Sequence, residues 1–398
     1  MQKITGYIFI GLMAVLSSCK SSAVLFSKGE TTSETFDKTV SFTKSKGLMV
    51  VPVQIDGETY YFLFDTGAPM VISEELQAKL QCKKLTKKGV GDSQGRKKQL
   101  AYVRMPAIEL AGQRFENLTA IVADLNEAPA IGCLKIDGII GANLMRLAFW
   151  EIDYEADLMR FTNVWESIKI DSSANHFNFY TQATGTPVIP ELYLDSVRIY
   201  NVTFDTGSGG ILSVPNKFLP GLVLDSNVKS AFGHLSSGIY GSRIDTVFYV
   251  QKPFVLGRDT IPNFPFEVQT EKQKKLLGMR YFKNYRMVLN WDEKSVYLHK
   301  KHDMDLSDLK SFGISFTLEN EHILVGSLPG GNNAQLAGVE IGDTLIRVNQ
   351  IQSPITQADD YCQVLNDLRS KDDIAFEIKG KGSFTLKKEP VYREEREH

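Results

Sequence analysis

The stretch Tyr60-Tyr61-Phe62-Leu63-Phe64-Asp65-Thr66-Gly67-Ala68-Pro69-Met70-Val71-Ile72-Ser73 runs an apolar segment straight into an acidic turn. Tyr60 to Phe64 is continuous and bounded by turn residues, the pattern of a strand covered on both faces. Asp65 therefore stands at the end of a dry strand. A carboxylate there loses hydration unless hydrogen bonds hold it, and Thr66, Gly67 and their backbone N–H groups are placed to supply them. Gly67 permits the tight turn that aims these donors inward. Val71 and Ile72 then return the chain to the core.

The pattern is written a second time, as Tyr200-Asn201-Val202-Thr203-Phe204-Asp205-Thr206-Gly207-Ser208-Gly209-Gly210-Ile211-Leu212-Ser213. One Asp-Thr-Gly is weak evidence, because all three are ordinary turn residues. Here the surroundings repeat as well. Gly47, Val50, Val51 and Pro52 precede the first turn as Gly185, Val188, Ile189 and Pro190 precede the second. Downstream, Ile139-Ile140-Gly141 corresponds to Leu276-Leu277-Gly278. Beyond those glycines Ile152 stays in register with Leu289, Asp153 with Asn290, Tyr154 with Trp291 and Phe161 with Leu298. The chain contains a duplicated domain.

These residues resemble the aspartic peptidases, in which an Asp-Thr-Gly turn and a later hydrophobic-hydrophobic-Gly segment mark each of two related lobes. The resemblance covers roughly residues 40 to 300. The first copy, ending Ile139-Ile140-Gly141-Ala142-Asn143, looks more like the retroviral enzymes, whereas two lobes in one chain look pepsin-like. The resemblance implies a mainly β fold of two pseudo-symmetric acid-protease β-barrel lobes, residues 38–162 and 176–299, acting as a monomeric protease unit. It implies Asp65 and Asp205 as the catalytic pair, with Thr66, Gly67, Thr206, Gly207 and Ser208 supporting them. The substrates it implies are polypeptides, and neither cofactor nor metal is called for. Ser208 is expected to hydrogen-bond the outer oxygen of Asp205, whereas Ala68 has no hydroxyl to offer Asp65. Fewer donors to Asp65 predict dyad pKa values above those of pepsin-like sites. The rival reading is a non-catalytic lipoprotein that captures peptides without cutting them.

The N-terminus combines Lys3, an apolar run from Tyr7 to Leu16 and then Leu16-Ser17-Ser18-Cys19. That is a signal peptide, residues 1–18, too short for a retained spanning helix. Its ending resembles the bacterial lipoprotein signal, which implies cleavage to leave Cys19 as a lipid-carrying first residue, a membrane attachment and a place in the cell envelope. Lys20 offers no inner-membrane retention cue, so the outer membrane is the expected site. Residues 19–37, rich in Ser, Thr, Lys and Glu, read as a tether.

The formal net charge of −2 argues against a nucleic-acid binder. With Cys19 assigned to lipid, three cysteines remain: 82, 133 and 362. Cys82 and Cys133 lie in the first copy of an exported protein, so they can close a disulfide, the alternative being buried thiols. The six histidines are scattered without metal-ligand spacing.

Ser73 is expected to cap a short helix to Leu80, and Lys83 to Lys98 reads as a hairpin with its tip at Gly91-Asp92 and Gln94-Gly95. Seven basic residues against one acidic residue make it positive. That charge either steers acidic peptides toward a cleft or keeps a solvated edge from pairing. Pepsin-like enzymes carry a tyrosine on this flap, and Val90 to Gly95 has none. The second copy has a Gly-rich hairpin from Gly233 to Gly241 that includes Tyr240.

Residues 308–392 form a third unit. Lys310-Ser311-Phe312-Gly313-Ile314-Ser315-Phe316 followed by Ala337-Gly338-Val339 and Gly342-Asp343-Thr344-Leu345-Ile346-Arg347-Val348-Asn349 resembles a PDZ domain. The resemblance implies that Phe312, Gly313, Ile314 and Ser315 offer a loop to peptide C-termini, that the next strand pairs with the peptide, and that Gln357 to Arg369 is the domain's helix. Packing on the lobes as a purely structural unit is the alternative.

Overall fold

A computed structural model describes residues 22–219, 228–270, 274–307, 309–331 and 334–392. The protein is mainly β, with few and mostly short helices. The expected signal peptide and Cys19 lie outside the described residues.

In the first copy, Leu48–Ile55 and Glu58–Asp65 form a hairpin, with Val51 opposite Phe62 and Val53 opposite Tyr60. Gly138–Gly141 lies parallel to the second of these strands, Ile140 beside Phe64 and Gly141 beside Asp65. Val71–Ser73 pairs antiparallel on its other side and then parallel with Thr119–Ala123, which leads to Lys97–Arg104 and Lys83–Gly91. The glycines are dictated by space: a Cβ on Gly141 would lie 2.1 Å from the carbonyl carbon of Pro69, and one on Gly138 would lie 2.4 Å from the Phe62 ring. Nothing larger fits where two strands and a turn converge.

The second copy repeats this order. Pro187–Leu194 pairs with Val197–Asp205, then come Leu276–Gly278, Leu212–Pro215, Asp259–Gln269, Gly241–Leu256 and Ser230–Gly238. Asp205 stands beside Gly278 as Asp65 stands beside Gly141.

A six-stranded sheet joins the copies. Phe149–Asp153 of the first pairs antiparallel with Tyr285–Asn290 of the second. Glu151 and Val288, equivalent in the two copies, face each other, so Trp150 opposite Leu289 mirrors Ile152 opposite Met287. A local twofold axis passes through this pair. Trp150, fully buried, stacks on Phe161 and meets the edge of Phe64, with ring centroids 5.0 Å apart in both cases. Burying each such ring contributes roughly 1.5–3 kcal/mol, and here the rings fix the strand that ends at Asp65.

The tether expected over residues 19–37 is overturned from Ser22 onward. Ser22–Phe26 is a helix whose Leu25 and Phe26 are buried, and Thr119 Oγ1 donates to the Leu25 carbonyl at 2.9 Å. Glu30–Thr31 adds an edge strand beside Gln113–Glu116, and Asp37–Ser41 pairs with Leu158–Thr162. Two large apolar residues sufficed to pull a polar-looking segment into the core.

The C-terminal unit has its own apolar core, built on Phe316, Ile323, Val325, Leu345, Val364, Ile374 and Phe376. Its helix is Ala358–Ser370, with Gln357 as the preceding cap residue. Its strand His322–Pro329 pairs with Ser315–Glu319 on one side and, on the other, with Ser230–Gly238 of the second copy. The expected Cys82–Cys133 disulfide is not formed. Cys133 is bonded to Cys362, Cα atoms 5.3 Å apart, across a sequence separation of 229, and Cys82 is a free, buried thiol. The bond ties the C-terminal helix to the first copy.

Candidate active site

Each acidic turn is made the same way. Gly67 N–H donates to Asp65 Oδ1 at 2.7 Å, and Gly207 N–H to Asp205 Oδ1 at 3.0 Å. The two turns then interlock. Thr66 N–H donates to Thr206 Oγ1 and Thr206 N–H to Thr66 Oγ1, both at 3.0 Å. Each hydroxyl in turn donates across the axis, Thr66 Oγ1 to the Phe204 carbonyl at 2.7 Å and Thr206 Oγ1 to the Phe64 carbonyl at 3.0 Å. Both threonines are fully buried. Four reciprocal bonds in a dry site leave the turns little freedom, and they bring the Asp65 and Asp205 carboxyls into hydrogen-bonding contact with each other.

The glycines are needed for this approach. A Cβ on Gly67 would lie 2.5 Å from Asp205 Cγ, and one on Gly207 would lie 2.2 Å from Asp65 Cγ. Each glycine thus makes room for the opposite carboxylate.

The two acids are not equivalent. Desolvation first, and then the negative charge of Asp205, hold the Asp65 carboxyl well above the usual carboxylate range, against one lowering bond from Gly67. Desolvation also raises Asp205. It is offset by the hydrogen bond from Asp65, by the Lys274 ammonium and by the N–H groups of Gly207 and Ser208. The proton of the pair therefore sits on Asp65, and Asp205 carries the charge.

Ser208 differs from expectation. Its hydroxyl accepts from Gly210 N–H at 3.4 Å, and its backbone N–H is the group that acts on Asp205. The adjacent Gly-Ser-Gly-Gly run lets the main chain turn its amides inward, so a side-chain donor is not required.

One supporting residue was not singled out as such in the sequence. Asn143, fully buried, accepts from Met70 N–H at 2.7 Å and donates to the Thr119 carbonyl at 3.0 Å. It thereby braces the chain just past the first turn. Its signal was available, since a polar residue closing Ile139-Ile140-Gly141-Ala142-Asn143 enters the core only with partners.

Residues 51–144 match a family model described as aspartyl protease. The match lies within the first copy and takes in Asp65, Thr66, Gly67 and Ile139-Ile140-Gly141. A comparison with curated proteins found no match.

The basic hairpin is neither a free positive surface nor a solvated edge at its tip. Its strands are Lys83–Gly91 and Lys97–Arg104, and Asp92 and Gln94 at the tip are 6% and 3% exposed. They are covered by the Ser230–Gly238/Gly241–Leu256 hairpin of the second copy, whose turn residue Tyr240 is equally buried.

Phe312, Gly313, Ile314 and Ser315 form a turn far from the acidic pair in sequence and joined to neither Asp. Phe312 and Ile314 point into the C-terminal core, Gly313 adopts φ +73° and its N–H is taken by Ser311 Oγ at 3.0 Å. On the strand that follows, the Phe316 carbonyl accepts from Tyr361 Oη at 3.1 Å.

Proposed function

We propose that the protein is an aspartic endopeptidase, anchored to the cell envelope by lipid on Cys19, in which Asp65 and Asp205 activate a water against a peptide bond. The observation that carries this reading is the reciprocal Thr66–Thr206 lock, which places two carboxyls in contact although each comes from a separate copy of the repeat.

The division of labour follows from the asymmetry of the pair. Asp205, charged, accepts a proton from the attacking water. Asp65, protonated, donates to the scissile carbonyl oxygen as it becomes an alkoxide. The product is a tetrahedral intermediate without a covalent bond to the enzyme. Its collapse returns the proton on Asp205 to the leaving amine and restores Asp65.

The C-terminal unit we read as a PDZ domain used as a brace rather than as a catcher of peptide C-termini. Support comes from Tyr361 Oη on the Phe316 carbonyl and Ser311 Oγ on the Gly313 N–H, groups that an added peptide strand would need.

Cleavage-site profiling on a peptide library between pH 3 and 8 tests the peptidase reading. Wild type is expected to cut, and Asp65→Asn and Asp205→Asn to be inactive while folded. A wild type inert toward the whole library supports the rival, a peptide-binding lipoprotein. For the anchor, Cys19→Ala is expected to move the protein from the membrane fraction to the soluble one.

A further inference from the structure

The two hairpins that flank the acidic pair meet tip to tip. Asp92 Oδ1 accepts from the N–H groups of Gln94 and Arg96 at 3.0 and 2.9 Å, which makes the first tip rigid. The second tip docks on it. Tyr240 N–H approaches Asp92 Oδ2 at 3.4 Å, Tyr240 Oη donates to the Val90 carbonyl at 3.1 Å, and Gln94 Nε2 donates to Ser236 Oγ at 3.1 Å. Arg243 reaches the Gln94 carbonyl at 3.0 Å, and Arg96 donates to the carbonyls of Tyr240 and Ser242. A Cβ on Gly238 would lie 2.4 Å from Asp92 Oδ2, so the tips are in close contact.

The copies thus touch below the acidic pair through the six-stranded sheet, at the pair itself, and again at the hairpin tips. A substrate must pass between the acidic turns and this roof.

One half of the roof is held from outside. Ser230–Gly238 shares a sheet with the C-terminal unit, Ala231 facing Pro329, Phe232 facing Leu328 and Gly233 facing Ser327. Gly330 N–H donates to the Ser230 carbonyl at 2.7 Å, and Ser315 Oγ donates to the His234 carbonyl at 3.2 Å. Gly233, at φ +131°, leaves no room for a side chain, since its Cβ would lie 2.3 Å from the Gly326 carbonyl oxygen. The C-terminal unit is itself fastened to the first copy by Cys133–Cys362, with Lys135 and Asp359 paired at 2.9 Å beside it. The second hairpin cannot lift unless the C-terminal unit moves, and the disulfide limits that movement.

We propose that the C-terminal unit and its Cys133–Cys362 tether set how far the roof opens, and so restrict the acidic pair to extended single polypeptide strands. This rests on the peptidase reading for its substrate and on the roof geometry for its mechanism. Main-chain pairing transmits the unit's position to the hairpin without any special side chain, and a strap closed by a covalent bond removes the displaced states that a bulky substrate would need.

The test compares wild type with the Cys133→Ser/Cys362→Ser double variant, whose fold is checked by circular dichroism. Two substrates are used: a short fluorogenic peptide, and the same cleavage sequence set in a surface loop of a folded protein. The short peptide is expected to change less than threefold in kcat/KM, whereas the folded substrate gains at least tenfold. Equal change in both overturns the proposal. Hydrogen exchange gives a reading independent of catalysis, with amides 92–96 and 231–238 expected to exchange at least tenfold faster once the bond is absent. Unchanged protection there also overturns it. Should the double variant not fold, wild type with the disulfide opened by a phosphine and Arg96→Met, which breaks the tip contact instead, are measured by exchange in its place. If no substrate is cut by any form, the peptidase reading fails, while the exchange result still decides whether the strap holds the roof.

Discussion

Thr206→Val is the sharpest probe of the acidic pair, because it exchanges a hydroxyl for a methyl group at nearly constant volume. The Thr206 hydroxyl accepts from Thr66 N–H and donates to the Phe64 carbonyl, both at 3.0 Å in a fully buried site. Without it the Thr66 N–H is orphaned, at about 1–3 kcal/mol, and the bond to Phe64 adds roughly 0.5–1.5 kcal/mol, giving about 2–4 kcal/mol in all. Activity is expected to fall further than stability suggests. The bonds lost are those that set the spacing of the two carboxyls, and a displacement of about 1 Å costs on the order of 10²-fold in rate. Thr206→Ser keeps the hydroxyl and is expected to stay within about 1 kcal/mol of wild type. Urea unfolding followed by tryptophan fluorescence reads the first quantity, and kcat/KM on a cleaved peptide reads the second. By the twofold axis, Thr66→Val should behave alike. A Thr206→Val protein within about 0.5 kcal/mol of wild type, the range of an inconsequential surface change, and with undiminished kcat/KM would refute the claim that the lock organises the site.

Three further outcomes follow from the same geometry. Gly207→Ala, whose Cβ would lie 2.2 Å from Asp65 Cγ, is expected to keep the fold but lose roughly 10²-fold or more in kcat by displacing that carboxyl; near-normal kcat would show that the approach is looser than described. Asn143→Ala orphans the Met70 N–H and the Thr119 carbonyl at roughly 1–3 kcal/mol each, a loss that urea unfolding should resolve. For pH, Asp65 is raised above its unfolded value. Its contribution to stability is therefore fully present below the usual aspartate range and is lost as pH rises through its folded pKa. Asp65→Asn removes this dependence, so its midpoint relative to wild type should climb with pH over that window. A constant difference would place the proton elsewhere. The activity profile should have its maximum above strongly acidic pH, and a peak below about pH 3 would contradict the raised pair.

Much of the site was legible in the chain because its information is local and written twice. An apolar strand ending in Asp-Thr-Gly, and a hydrophobic-hydrophobic-Gly segment to lie beside it, are each set by a handful of neighbouring residues. The turn at Asp65, the strand Gly138–Gly141 and the Ser73-capped helix Glu74–Leu80, with Leu76 N–H on Ser73 Oγ at 3.0 Å, are local in that sense. The duplication also implied a twofold axis, and the register of Glu151 against Val288 obeys it.

The partners of residues that have no local preference were not legible. Cys133 had two candidate positions in the rest of the chain, and only the docking of the helix Ala358–Ser370 brought Cys362 within bonding range. Leu25 and Phe26 looked like part of a polar tether until a groove in the first copy offered them burial. The charge difference between Asp65 and Asp205 arises from desolvation and from donors contributed by both copies, neither of which can be read from either turn alone. Nor does any sequence pattern say that the tip of a lysine-rich hairpin will be buried under Tyr240 or that an outside strand will hold the opposite hairpin down. The sequence determined which short segments form and that they come in pairs, since backbone propensity and apolar patterning act over a few residues. Tertiary structure decided which atoms meet, because contacts between distant segments depend on how every intervening element packs.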